Sequence, residues 1–99
     1  MNPLTKLFNG EEGSYLVYST WDPFAVKVAE TFLHTQPEAH AIDVFEHPEI
    51  SSLPWLPFRV NRTPALITCS MHNDGSIKYK LMDIPSQVRR AVEKMDLLS

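Results

Sequence analysis

The stretch that most restricts the fold runs from Ser14 to Phe45. Ser14–Ser19 (SYLVYS) is an apolar and aromatic run with the length and composition of a buried strand. Ala25, Val28, Ala29, Phe32 and Leu33 then fall at i, i+3, i+4, i+7 and i+8, one apolar stripe that predicts a helix. Lys27, Glu30, Thr31 and His34 lie largely off that stripe. Asp22 stands where it can cap the first turn, and Pro23 suits the first helical position, where a missing N–H costs nothing. Pro37 lies past the end and keeps the helix from continuing. Ala39–Phe45 (AHAIDVF) reads as a second strand, with Ala41 and Asp43 on one side and Ile42 and Val44 on the other. A strand, a helix and a strand with short joints imply a right-handed parallel crossover.

The rest of the chain completes a sheet. Residues 1–13 predict a short helical turn around Leu4, Leu7 and Phe8, then a loop at Asn9-Gly10. Pro48–Leu53 suits a short helix with Ile50 and Leu53 inward, and Pro54 and Pro57 keep it short. Trp55, Leu56 and Phe58 are too apolar for a fully exposed loop, so this segment packs down or meets a partner. Pro64–Cys69 (PALITC) predicts a third strand, and Asp74-Gly75 signals a hairpin. In Ser76–Leu81, Ile77, Tyr79 and Leu81 alternate with Lys78 and Lys80, as in a half-exposed edge strand whose lysines discourage edge-to-edge association. Asp83 is the expected cap of a last helix, with Pro85 in its first turn and Val88, Ala91, Val92 and Met95 as its stripe. The expected fold is a single α/β domain over residues 1–99 with a core over about 14–95. Its order is β-α-β-α-β-β-α, a mixed four-stranded sheet flanked by helices.

Composition narrows the function. The net charge of −3 and the scattered Lys and Arg argue against a nucleic-acid footprint. No apolar run approaches the roughly 20 residues of a membrane span, and the N-terminus lacks a signal pattern. Cys69 is the single cysteine, so no disulfide forms within the chain and a dithiol cycle is excluded. A lone thiol suits a reducing compartment, so a cytoplasmic location is expected. His34, His40, His47 and His72 lack ligand-like spacing, so no metal site is expected; no other cofactor is expected either.

The junction Trp21-Asp22-Pro23-Phe24-Ala25, set between the first strand and its helix, resembles the thioredoxin-like superfamily, and glutaredoxins most closely. A glutaredoxin reads Cys-Pro-Phe/Tyr-Cys at this turn. The resemblance puts Asp22 at the nucleophilic cysteine and Ala25 at the resolving one, with Pro23 and Phe24 matching the pair between. A second match is Phe58-Arg59-Val60-Asn61-Arg62-Thr63-Pro64-Ala65, similar to the thioredoxin run that leads into the third strand. The resemblance implies that Pro64 is a cis-proline facing the former active-site turn, and that Thr63 before it offers backbone contacts to extended peptides. It covers about residues 14–95. Both cysteines are missing, Ser19 and Thr20 stand where a glutaredoxin carries a basic residue, and the Gly-Gly pair that holds glutathione is absent from YKLMDIPS.

An Asp carboxylate can occupy the positive end of a helix dipole but cannot form a mixed disulfide. Asp22 therefore reads first as a cap and second as a retained anion facing a partner. Ala25 reads as a buried helix former. The preferred function is a redox-inactive binding or assembly module. Its partner is another protein or a peptide, met through Trp21, Phe24, Trp55, Phe58, Arg62, Thr63 and Pro64. The alternative is a thiol-dependent oxidoreductase or glutathione-binding enzyme that uses Cys69, although a free cysteine usually packs as a small apolar residue. A third reading is a dimer through the Lys78–Lys80 strand or residues 53–58. Asp43, Glu46 and Glu49 read as a solvated edge, and Arg59 and Arg62 as loop arginines able to grip an anion.

Overall fold

The computed structural model describes residues 2–35 and 39–98, so the helix stop expected at Pro37 lies outside the described residues. The elements are α1 (Pro3–Phe8), β1 (Gly13–Tyr18), α2 (Pro23–Thr35), β2 (His40–Asp43), a 3-10 helix (Pro48–Ser52), β3 (Ala65–Met71), β4 (Ile77–Met82) and α3 (Pro85–Leu98). The sheet order is β2-β1-β3-β4. β1 runs parallel to β2 and antiparallel to β3, and β3 runs antiparallel to β4, so the sheet is mixed as expected.

β1 is an inner strand, and Tyr15, Leu16 and Val17 are all buried. Covered on both faces, it needs a continuous apolar run rather than strict alternation. Its side chains divide the core. Tyr15 and Val17 join Ile42, Ala65 and Ile67 beneath α1, the 3-10 helix and Leu56. Leu16 joins Leu66 and the stripes of α2 and α3, including Val28, Phe32, Val88 and Val92. Ile50 is buried and Leu53 half-buried, and Trp55 and Phe58 pack against the first cluster. The segment after the 3-10 helix therefore packs down.

Three local expectations are corrected. The second strand ends at Asp43, not Phe45. Asp43 Oδ1 accepts the Phe45 N–H at 3.0 Å, and its carbonyl accepts from Glu46 and His47, so the chain turns at once. In α2, Leu33 is 46% exposed while Thr35 is buried. At about 100° per residue, Leu33 points roughly 90° from the buried stripe and Thr35 roughly 70°. The Thr35 hydroxyl also donates to the Phe32 carbonyl at 2.8 Å, which makes its burial tolerable. In α3 the Ile84 carbonyl accepts from Gln87 and Val88, so Ile84 is the cap position and Asp83 lies one residue too early.

The hairpin signal holds. Gly75 has φ +86°, and Asp74 Oδ1 accepts from both the N–H and the hydroxyl of Ser76. β4 lies at the sheet edge, with Lys78 and Lys80 exposed.

Candidate functional site

The chain leaves β1 at Tyr18 and turns within four residues into α2. Asp22 donates its backbone N–H to the Ser19 carbonyl at 3.1 Å, and Trp21 donates its own to the Ser19 hydroxyl at 3.3 Å. Asp22 then caps the helix. Its Oδ1 accepts the Phe24 N–H at 3.0 Å, and its carbonyl accepts from Val26 at 3.0 Å. Pro23 opens α2, where it withholds no needed donor. Ala25 is fully buried.

With its backbone used this way, the turn presents Trp21 to solvent. Trp21 is 80% exposed and meets Phe45, 66% exposed, edge to face at 6.1 Å. Phe45 is held by the turn at Asp43, and the Val44 N–H donates to the Tyr18 carbonyl at 2.9 Å. Asp43 is buried, so it belongs to the turn rather than to the solvated edge expected of it with Glu46 and Glu49. Burial raises the pKa of the neighbouring Tyr18 phenol, and Asp43 and Glu46 add to the rise.

β3 begins beside this turn. Val17 pairs with Ala65 antiparallel, so Arg62 and Thr63, which precede β3, lie toward the same end of the sheet as Ser19 and Thr20, which follow β1. The Thr63–Pro64 bond is cis, as the resemblance implied. Arg62 is exposed and Thr63 half-buried. Pro64 is fully buried, a correction to its expected place on the contact surface: its ring packs inside, and only the residues before it reach solvent.

The remaining candidates diverge. Phe24 faces away to α3, where the Arg89 guanidinium lies 5.7 Å from its ring centroid. The two frame a groove of about 280 Å³ over Val28 and Val92. Trp55 packs against Phe8 at 5.2 Å and Tyr79 at 5.9 Å, in the layer over the opposite sheet face. Phe58 is half-buried against the same core. The seven expected contact residues thus do not form one patch. Trp21 groups with Arg62 and Thr63 at one end of the sheet, Phe24 joins α3, and Trp55 and Phe58 serve the core.

Cys69 is buried between Gly13 of β1 and Tyr79 of β4. Burial, and then Glu12, pushes its thiol pKa up, opposite to what a nucleophile needs. It lies four positions along β3 from Ala65, about 13 Å at strand rise. Among the described residues, no group of three or more His, Cys, Asp or Glu side chains could hold a metal, and no helix is long and apolar enough to cross a membrane.

Two site residues escape the sequence. Phe45 hides inside a run that reads as strand, and the available signal was the Asp43 before it, a common turn former. Arg89 meets Phe24 only because α2 and α3 pack together, which no local pattern reveals.

The fold and the turn define a small α/β protein with a mixed sheet, whose strand-to-helix turn displays aromatic rings where no thiol stands. Compared with known families and curated proteins, the chain matches no family model and no curated sequence.

Proposed function

We propose that the chain is a redox-inactive, thioredoxin-like module that binds another protein as an accessory subunit of a larger assembly. The docking surface is the Trp21–Phe45 pair with Arg62 and Thr63 beside it. The order of the elements and the helix start at Asp22-Pro23 support the thioredoxin-like reading. The observation that carries the binding role is the exposure of Trp21, 80%, against Phe45, itself 66% exposed. Two large aromatic side chains left in water by a hydrogen-bonded turn are typical interface anchors. Arg62, exposed toward the same end of the sheet, adds a donor fork for carboxylate or backbone carbonyl.

The thiol reading is weaker because Cys69 is buried, with its thiol pKa pushed up by burial, away from that surface. The two readings separate in paired assays. Affinity purification from the native source should recover a stoichiometric partner with wild type and lose it with Trp21→Ala/Phe45→Ala. A thiol–disulfide reductase assay should show no turnover above background. Turnover that disappears in Cys69→Ser would replace this proposal with the enzymatic one.

A further inference from the structure

We infer that the outer edge of β4 is a second docking site, for an extended acidic segment of another protein that adds to the sheet as a further strand. β4 ends the sheet, and no strand flanks its outer side among the described residues. The backbone register shows which groups face outward. His72 donates its N–H to the Ser76 carbonyl at 2.8 Å, and pairing alternates along an antiparallel ladder. Lys78, Lys80 and Met82 therefore bond inward to Ser70, Thr68 and Leu66. Ile77, Tyr79 and Leu81 turn their N–H and C=O groups outward. Strand addition uses such a row.

Side chains select the occupant. Lys78 and Lys80 are exposed on one face, and neither has an ion-pair partner among the described residues. On the other face Ile77 is 37% exposed, and Tyr79 is steadied by donating its hydroxyl to the Leu7 carbonyl at 2.9 Å. A second copy pairing antiparallel about Tyr79 would set Lys78 against Lys80 twice, and directly opposed like charges are unfavourable. A strand with acidic residues opposite the lysines and apolar residues between them satisfies both faces. This surface is separate from the Trp21 turn, so it stands or falls independently of the function proposed above.

The probe is a blocked seven-residue peptide with valines at positions two, four and six and glutamates at three and five. A second peptide carries lysines for the glutamates, and a third is N-methylated at its valines. Amide exchange by NMR and titration of the full chain give the readouts. With the glutamate peptide, the Ile77, Tyr79 and Leu81 amides should exchange about tenfold or more slowly at saturation. The lysine peptide should bind about tenfold more weakly, and Lys78→Glu/Lys80→Glu should reverse that order. The N-methylated peptide should not bind. Equal affinity for both charge types, protection elsewhere, absence of binding at millimolar peptide, or a dimer that protects these amides without peptide would overturn the inference.

Discussion

Asp22 sits where two demands meet. Its Oδ1 takes the Phe24 N–H, so one carboxylate both starts α2 and fills the position that the resemblance gives to a nucleophile. Asp22→Ala should lower stability by about 0.5–2 kcal/mol in urea denaturation, and Asp22→Asn by much less. This cap was legible because Asp-Pro before an apolar stripe is local chemistry. Asp83 misled for the same reason: Asp before Ile84-Pro85 looks like a cap, but the chain begins α3 one residue later. Gly10 carries a constraint that no short pattern announces. It has φ +73°, and a Cβ there would collide with the Ile77 side chain across the fold. Gly10→Ala should cost about 1–2 kcal/mol from backbone strain alone, read in the same denaturation experiment. Tyr15 gives the pH signature. Its hydroxyl donates to the Glu11 carbonyl at 2.6 Å, and burial raises its pKa from 10.0 to about 12. The folded state then binds the phenolic proton more tightly than the unfolded chain. That stability is fully present below about pH 10 and is lost as pH climbs toward about 12. The stability gap between wild type and Tyr15→Phe should shrink over that window.

At the scale of elements, α2 is held by its stripe more than by its cap. Phe32 is fully buried between the sheet and α3, and Phe32→Ala should cost about 3–5 kcal/mol, the largest loss of any single change named here. The helix was legible because periodicity survives in a sequence whatever it packs against. Its partner was not. The meeting of Phe24 with Arg89 requires α2 and α3 to lie side by side, and neither stripe states which helix it will face. β2 is shorter than its sequence suggests for a related reason: Ile42, Val44 and Phe45 suit a strand, but the Asp43 carboxylate competes for the Phe45 N–H and ends it. The first turn of α2 also tests the proposed alignment. Asp22→Cys with Ala25→Cys puts two thiols one helical turn apart, and oxidation should form an intrachain bridge, seen by mass spectrometry as the loss of two hydrogens. A folded double variant that cannot be bridged would refute the correspondence of these positions with a redox pair.

Across the whole molecule, the sheet separates duties. One face carries α1, the 3-10 helix and the Trp55–Phe58 segment, and the other carries α2 and α3. Cys69 is sealed into the first of these layers, and the Trp21–Phe45 pair stands at a sheet end outside both. The sequence made the element order and the mixed sheet readable, because strand and helix periods differ and short joints limit topology. It did not reveal that the apolar candidates would scatter over three places, because solvent exposure is settled by the packing of distant elements. Trp21 and Trp55 look alike in the sequence, yet Trp21 ends exposed and Trp55 packs against the core. If the Trp21 turn is the principal contact surface proposed above, hydrogen exchange of the chain alone and in complex with its purified partner will show it. Residues 19–24, 44–46 and 61–63 should gain protection on binding and lose that gain in Trp21→Ala/Phe45→Ala. A complex that leaves these three segments as exchangeable as in the free chain would rule out the Trp21 turn as the contact surface.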